Sequence, residues 1–481
     1  MSSNKSSTTP FSISKGRFIG RKALLLTPIL CFAILTAQEK SLLQVSIQKA
    51  VQLALKQNSD LETARLEVKR ADSRVMEAWG YTMPSIDLSG QYMHFIDKPV
   101  TFFPDYFLYS FMKGIDSTFP KPTGALVPIS FTPGFSASGS VTIKQLLFNG
   151  AVFIGVGAAS VYSKLAHDVY RMKTVETVTK VRKAYYAALL SAEARALMQS
   201  TLQNAEDNLR NVKLLRNQGI VSEYDELRAT VGVENLRPTV LQTETNADLA
   251  LDALRNTMGV RHTESLTLTD TMAFVPVTDS LLLRAGDDLL ESNPTLSVAR
   301  WQIELNGAAV NAERSAYLPT VALFGSYQYQ AAKNEFNFST NDFFKGTNIG
   351  LSLSLNLFQG VQTWSRVEQA QLEQRKSEEQ KNNLERNLRT GLHSVVGALR
   401  QAQKRVESQF KTVEMATRGY SIVTTRFLAN AATQLEVNDA LLALMQARVN
   451  RVQSIYDYLV ATADLDQLVG RLPAYAVSGT E

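Results

Sequence analysis

Hydrophobic positions in this chain recur with two periods, and the points where one gives way to the other occur twice. Residues 46–80 carry apolar side chains at helical spacing, with a break at Asn58-Ser59. At Pro84 the period falls to two: Ile86, Leu88 and Tyr92 alternate with Ser85, Asp87, Ser89 and Gln91. Proline cannot donate a hydrogen bond into a continuing helix and biases the residue before it to extended backbone, so a strand starts there. Tyr317-Leu318-Pro319 makes the same switch into Thr320-Val321-Ala322-Leu323, ending in Tyr327 and Tyr329. A second strand follows in each place, Gly139 to Gly150 and Asn348 to Gly360. In the later one Leu351, Leu353, Leu355 and Leu357 alternate with Ser352, Ser354 and Asn356. One face is apolar and the other polar, as in a sheet with lipid on one side and water on the other, although a soluble antiparallel sheet alternates too. Strands of about ten residues also suit a tilted bilayer crossing.

Long helices fill the rest. No proline interrupts Gly150 to Gly219 or Gly360 to Asn430, and nearly 70 helical residues make a rod of roughly 100 Å. Leu202, Ala205, Leu209 and Val212 form a coiled-coil seam in the first rod, and Leu399, Ala402 and Val406 in the second. The helix returning from the second has its own seam at Met445, Val449, Val452, Tyr456 and Leu459. Short turns end the rods, at Asn217-Gln218-Gly219-Ile220-Val221-Ser222 and Leu428-Ala429-Asn430-Ala431-Ala432-Thr433. Ser222 and Thr433 stand as N-caps with Asp225 and Glu436 three positions on, close to the capping-box pattern.

The two halves are copies. Asn58, Leu61, Ala64-Arg65, Pro84, Gly90 and Tyr92 match Asn293, Leu296, Ala299-Arg300, Pro319, Gly325 and Tyr327 at a constant offset of 235. The expected organisation is a signal peptide at 1–37, repeat 1 at 38–260, an inter-repeat linker at 261–278, repeat 2 at 279–470 and a tail at 471–481. Beyond the hairpins the offset falls to 210, so the first hairpin loop carries 25 extra residues. That loop, about 93–134, holds Phe102, Phe103, Tyr106, Phe107, Tyr109 and Phe111, too aromatic for a disordered segment.

Charge changes the picture only at the N-terminus. Lys15, Arg17, Arg21 and Lys22 precede the apolar run 23–35 and small residues follow, the layout of a cleaved export signal. Residues 1–37 hold five basic residues and no acidic ones, so without them 45 basic residues face 45 acidic ones. The basic excess belongs to the signal and implies no nucleic-acid partner. The only cysteine, Cys31, leaves with it. The four histidines, His94, His167, His262 and His393, are scattered, and Gly150, Gly155 and Gly157 lack the Lys-Ser/Thr of a phosphate loop. No enzyme, metal or cofactor is expected.

Four membrane-type strands cannot stand alone, because the smallest closed barrels need about eight and unpaired edges in lipid are costly. Closure by oligomerisation follows, with three chains and twelve strands as the natural count. The order and duplication of the Asn58/Asn293 segments, the Pro84/Pro319 switches, the strand ends Leu147-Phe148-Asn149-Gly150 and Leu357-Phe358-Gln359-Gly360 and the rod-tip turns resemble the TolC-like outer-membrane efflux family. The resemblance implies a membrane α/β-barrel: a homotrimer with a 12-stranded barrel in outer-membrane lipid and a helical tunnel in the periplasm. It implies an exit duct docked by its tips onto a periplasmic adaptor and an inner-membrane transporter. It also implies a periplasmic gate at Glu436 and Asp439 with Phe427 beside it, and adaptor contact at Gly219, Ile220, Val221, Ser222, Ala431, Ala432 and Thr433. Ala432 stands where the family has a basic residue, so a basic–acidic lock within the turn is not expected. The rival reading is a periplasmic coiled-coil adaptor whose strands form a small soluble sheet.

Overall fold

The structure is a computed structural model that describes residues 42–116, 118, 120–261, 265–429 and 431–477. The expected signal segment lies outside the described residues. In chain order the elements are β1 (Leu42–Val45), α1 (Ile47–Gln57), α2 (Ser59–Gly80), β2 (Ser85–His94), β3 (Thr101–Pro104), α3 (Asp105–Met112), β4 (Leu126–Ile129) and β5 (Phe135–Phe148). They continue with α4 (Gly150–Asn217), α5 (Glu223–Met258), β6 (Ser265–Leu268), α6 (Asp279–Ser292), α7 (Pro294–Arg314), β7 (Thr320–Lys333) and β8 (Phe344–Ser354). The last are α8 (Gln362–Leu428), α9 (Gln434–Leu468) and α10 (Ala474–Val477).

The four long strands form one antiparallel sheet in the order β2-β5-β7-β8. Register places Ile86 beside Ile143, Leu88 beside Val141, Val141 beside Tyr327 and Leu323 beside Leu351, all on one face. The other face carries Asp87, Thr142, Ser326 and Asn348 in one row and Ser89, Ser140 and Gln328 in the next. Ile86, Leu88, Ile349, Leu351 and Leu353 are each at least 63% exposed, so the apolar face lacks a protein cover among the described residues. The fourth strand is shorter than its alternation implies. It ends at Ser354, opposite Thr320, and Leu355 and Leu357 lie beyond it. β7 begins at Thr320, so no neighbour among the described residues remains to extend the ladder.

The helices form a wall. α4, with 68 residues, packs against α5 along its far half and α2 along its near half, while α8, with 67, packs against α9 and α7 in the same way. Each long rod therefore faces two shorter helices stacked end to end, rather than one return helix. Asn58 makes the first junction: its Oδ1 accepts from Leu61 N at 3.1 Å and its Nδ2 donates to Thr257 O at 2.9 Å. Asn293 repeats this with Leu296 N at 2.9 Å and Leu468 O at 2.7 Å. Both α5 and α9 end at a left-handed glycine, Gly259 (φ +75°) and Gly470 (φ +71°). A Cβ on either would press into the carbonyl of the residue before the junction asparagine, Gln57 or Ser292. α4 also packs against α9 and α7, which gives the lateral order α5/α2, α4, α9/α7, α8.

Around the junctions a belt joins the repeats. β1 pairs in parallel with β6, so the segment expected as a linker contains a strand. Val45, Val51, Val181, Tyr185, Leu254 and Met258 pack as its core with Ala476 of the C-terminal segment. Tyr185 donates to Val45 O and Asp270 Oδ2, both at 3.0 Å, and burial pushes its phenol well above the usual range. The long first loop has elements of its own: β3 pairs with β4, and the Asp105 carboxylate accepts from Thr123 and Gly124.

Candidate functional site

The wall ends in two turns. Leaving α4, Gly219 adopts φ +74° in open space, and Ile220 N donates to Leu215 O at 2.9 Å, a helix-closing bond that spares the last carbonyls. Ser222 then caps α5: its Oγ accepts from Asp225 N at 3.2 Å, and its N donates to Asp225 Oδ2 at 3.1 Å. Thr433 caps α9 with the same reciprocal pair, to Glu436 N at 3.3 Å and Glu436 Oε1 at 3.2 Å. Such caps contribute about 1 kcal/mol each. Gly219, Ile220, Ser222, Ala431 and Thr433 are exposed, whereas Val221 and Ala432 are half-buried against the tip core.

That core combines both coiled coils: Val212 from α4, Ala229 from α5, Phe427 from α8 and Val437 from α9. Phe427 is only 6% exposed. It packs between the second turn and the first hairpin. Glu436 and Asp439 are exposed, three residues apart on α9. Glu436 is engaged by its cap, and Arg426 approaches it, Nη1 to Oε2 at 4.0 Å, while Nη2 donates to Ala431 O at 2.8 Å. Asp439 has no such partner among the described residues.

Arg426 is the functional candidate that sequence reading misses. With Ala432 in the turn, no basic–acidic lock is expected within the turn itself; the last turn of α8 instead brings Arg426 to Glu436. The first hairpin does likewise: Arg216 pairs with Glu226 and lies 3.8 Å from Glu223, which raises the already high guanidinium pKa. Arg216 and Arg426 stand at the offset of 210 that governs the second part of each repeat, so the signal is present in the duplication itself.

Asn334, at the far end of the sheet, joins the two hairpin loops, accepting from Lys98 Nζ at 2.8 Å and Gly134 N at 3.1 Å. Tyr92, Phe135 and Phe336 form edge and tilted ring contacts beside the His94–Phe135 stack. In the short loop Lys333 lies 2.6 Å from Asp342, which also accepts from Ser339 N, and the Asp342 carboxyl falls to about 2, first through Lys333 and then through Ser339.

A sheet with an uncovered apolar face, set above coiled-coil rods of roughly 100 Å, defines a subunit of a membrane channel with a helical tunnel. A family model described as "Outer membrane efflux protein" matches residues 130–260 and 285–471. The chain belongs to that family. It is 22% identical over 351 residues to outer membrane protein TolC of Vibrio cholerae, covering 70% of this chain and 77% of that one. It is also 22% identical over 339 residues to the alkaline protease secretion protein AprF of Pseudomonas aeruginosa, covering 69% of each. Its fold matches crystal structures of CusC, with a TM-score of 0.70 at 16% identity over 90% of this chain and 94% of that one. The CmeC outer membrane channel of Campylobacter jejuni superposes with a TM-score of 0.69 at 16% identity, over 88% of this chain and 85% of that one. The protein is therefore an outer-membrane channel for efflux or secretion with a periplasmic helical tunnel, and the soluble-adaptor reading is set aside.

Proposed function

We propose that three copies of this chain close into a 12-stranded barrel in outer-membrane lipid. The helical tunnel below it serves as the passive exit duct of a tripartite system, docked through its tips onto a periplasmic adaptor and an inner-membrane transporter. One observation carries the reading: the four-stranded sheet has two free edges, β2 and β8, and an uncovered apolar face. In hydrocarbon those edges must pair. β2 and β8 run in opposite directions, so β8 of one copy meets β2 of the next in the antiparallel sense used throughout the sheet. The wall supports the same closure. Tyr224, Leu227, Val231, Leu241 and Leu249 are exposed on α5 at one lateral end, and Met415, Ile422 and Leu428 on α8 at the other. The five on α5 fall within about 100° of helix surface, a seam without a partner in its own chain.

Within this reading Glu436 and Asp439, repeated three times, form acidic rings at the periplasmic constriction, which attract cations and hinder anions. Phe427 positions the turn that carries them. Replacing both acids with isosteric amides is the informative change, because the amide oxygen introduced by Glu436→Gln still accepts from the Thr433 cap. Trimers bearing Glu436→Gln and Asp439→Asn should conduct more and be blocked less by multivalent cations in planar bilayers; unchanged conductance and block would remove the gate from these residues. The adaptor is assigned to Gly219, Ile220, Val221, Ser222, Ala431, Ala432 and Thr433. Ala431→Trp adds bulk at an exposed site whose side chain caps no helix, so export should fail while trimers persist in the outer membrane. Normal export by that variant would place the contact elsewhere.

A further inference from the structure

On the polar face of the sheet, two large side chains of β7, Phe324 and Gln328, each stand opposite a glycine of β8. Phe324 pairs with Gly350 and Gln328 with Gly346. The pairs are in contact. A Cβ at position 350 would lie 2.7 Å from Phe324 Cζ and 3.1 Å from Cε1, and one at position 346 would lie 3.2 Å from Gln328 Cγ. Both side chains thus lie over the neighbouring strand instead of standing out from the sheet. Between them Ser326 Oγ donates to Asn348 Oδ1 at 2.9 Å, so the intervening row is also held flat. Neither glycine has a positive φ, so backbone conformation does not demand glycine at either place. Glycine within a strand otherwise weakens it, and close approach of another group is an established reason for its presence.

We propose that Gly350, with Gly346 as a second instance, sets the bore of the barrel by giving Phe324 a place to lie against the wall. The inference rests on the channel reading, in which the polar face lines the lumen. Phe324 is the aromatic ring of that face in the row Ser85, Lys144, Phe324, Gly350 near the helical end of the sheet, while the other, Phe344, pairs with Gln330 at the far end. Three copies give three rings at one level. Folded down, they leave the passage open; pushed up, they become a hydrophobic constriction beside three Lys144 ammonium groups. Bulky cargo is the class most sensitive to the difference, so Phe324 and Gly350 form a size-determining pair, distinct from the charged tips.

A double-mutant cycle on intact trimers in planar bilayers tests the pair. Gly350→Ala adds only the atom that Phe324 must avoid, so single-channel conductance is expected to fall. Phe324→Ala in that background restores it. In the wild-type background Phe324→Ala changes conductance little, because the ring already lies flat. Equal conductance of Gly350→Ala and wild type would overturn the proposal, as would a loss that Phe324→Ala does not relieve. If Gly350→Ala fails to form heat-resistant trimers, Phe324→Ala alone decides: a large rise in conductance means that the ring already obstructs the lumen and contradicts the proposal. Absence of conductance in the wild-type trimer would instead refute the channel reading on which the proposal depends.

Discussion

Three glycines in the left-handed region serve different ends although their φ angles nearly coincide. Gly219, at +74°, sits at a tip with open space around it, whereas Gly259 and Gly470, at +75° and +71°, close onto the junctions between stacked helices. A side chain at any of them meets the left-handed penalty of roughly 1–2 kcal/mol. At Gly470 a Cβ also meets the Ser292 carbonyl and, at 2.9 Å, the Pro294 ring. Gly470→Ala should therefore lower the thermal midpoint of the assembled protein clearly more than Gly219→Ala. A calorimetric comparison checks this, and equal shifts would show that the junction yields freely. Gly219 is legible in the sequence because it sits beside a turn. Gly259 and Gly470 are not, because their partners are some 200 residues away and contact across that separation has no local periodicity. Asn58 and Asn293 are legible as marks of duplication, but their second bond, to the carbonyl of Thr257 or Leu468, is not.

At the scale of elements, alternation and proline punctuation locate all four long strands, and the absence of proline locates α4 and α8. The ends are less legible. β8 stops at Ser354 although its alternation runs to Leu357, because pairing depends on a neighbour and not on the strand's own pattern. β1 and β6 leave no such mark because four-residue strands barely sample a period of two. The short loop between β7 and β8 has a titratable lock. Asp342 holds Lys333 and the Ser339 backbone, which lowers its carboxyl from the ordinary value near 3.8 to about 2. A depressed acid contributes stability that is complete above its unfolded pKa and disappears as pH falls through the folded one. Protease nicking between Lys333 and Phe344 should therefore stay low down to about pH 4 and rise as the pH approaches 2. An acid-active protease scored by mass spectrometry reads this, and Asp342→Asn should remove the protection already at about pH 5. Identical nicking of wild type and variant at that pH would show that the ion pair does not order the loop.

The whole molecule is one third of a closed object in this account, and duplication explains why. Two repeats supply four strands and the wall order α5/α2, α4, α9/α7, α8, yet the sheet keeps two free edges and the outermost helices keep exposed apolar stripes. The repeats then diverge in two places. The first holds the long aromatic loop, and the second holds Glu436, Asp439 and the buried Phe427. Disulfide trapping across the free edges tests closure most directly, because the one native cysteine, Cys31, lies in the expected signal segment. β2 and β8 are separated by two intervening strands, roughly 14 Å at ordinary strand spacing, beyond the reach of a disulfide within one chain. Cysteines scanned over Ile86 to Gly90 in β2 and Ile349 to Leu353 in β8 should give, for the correct register, an oxidation ladder in outer membranes that stops at three chains. A protein that stays monomeric in every register, or a ladder that runs past three, would contradict the trimeric barrel.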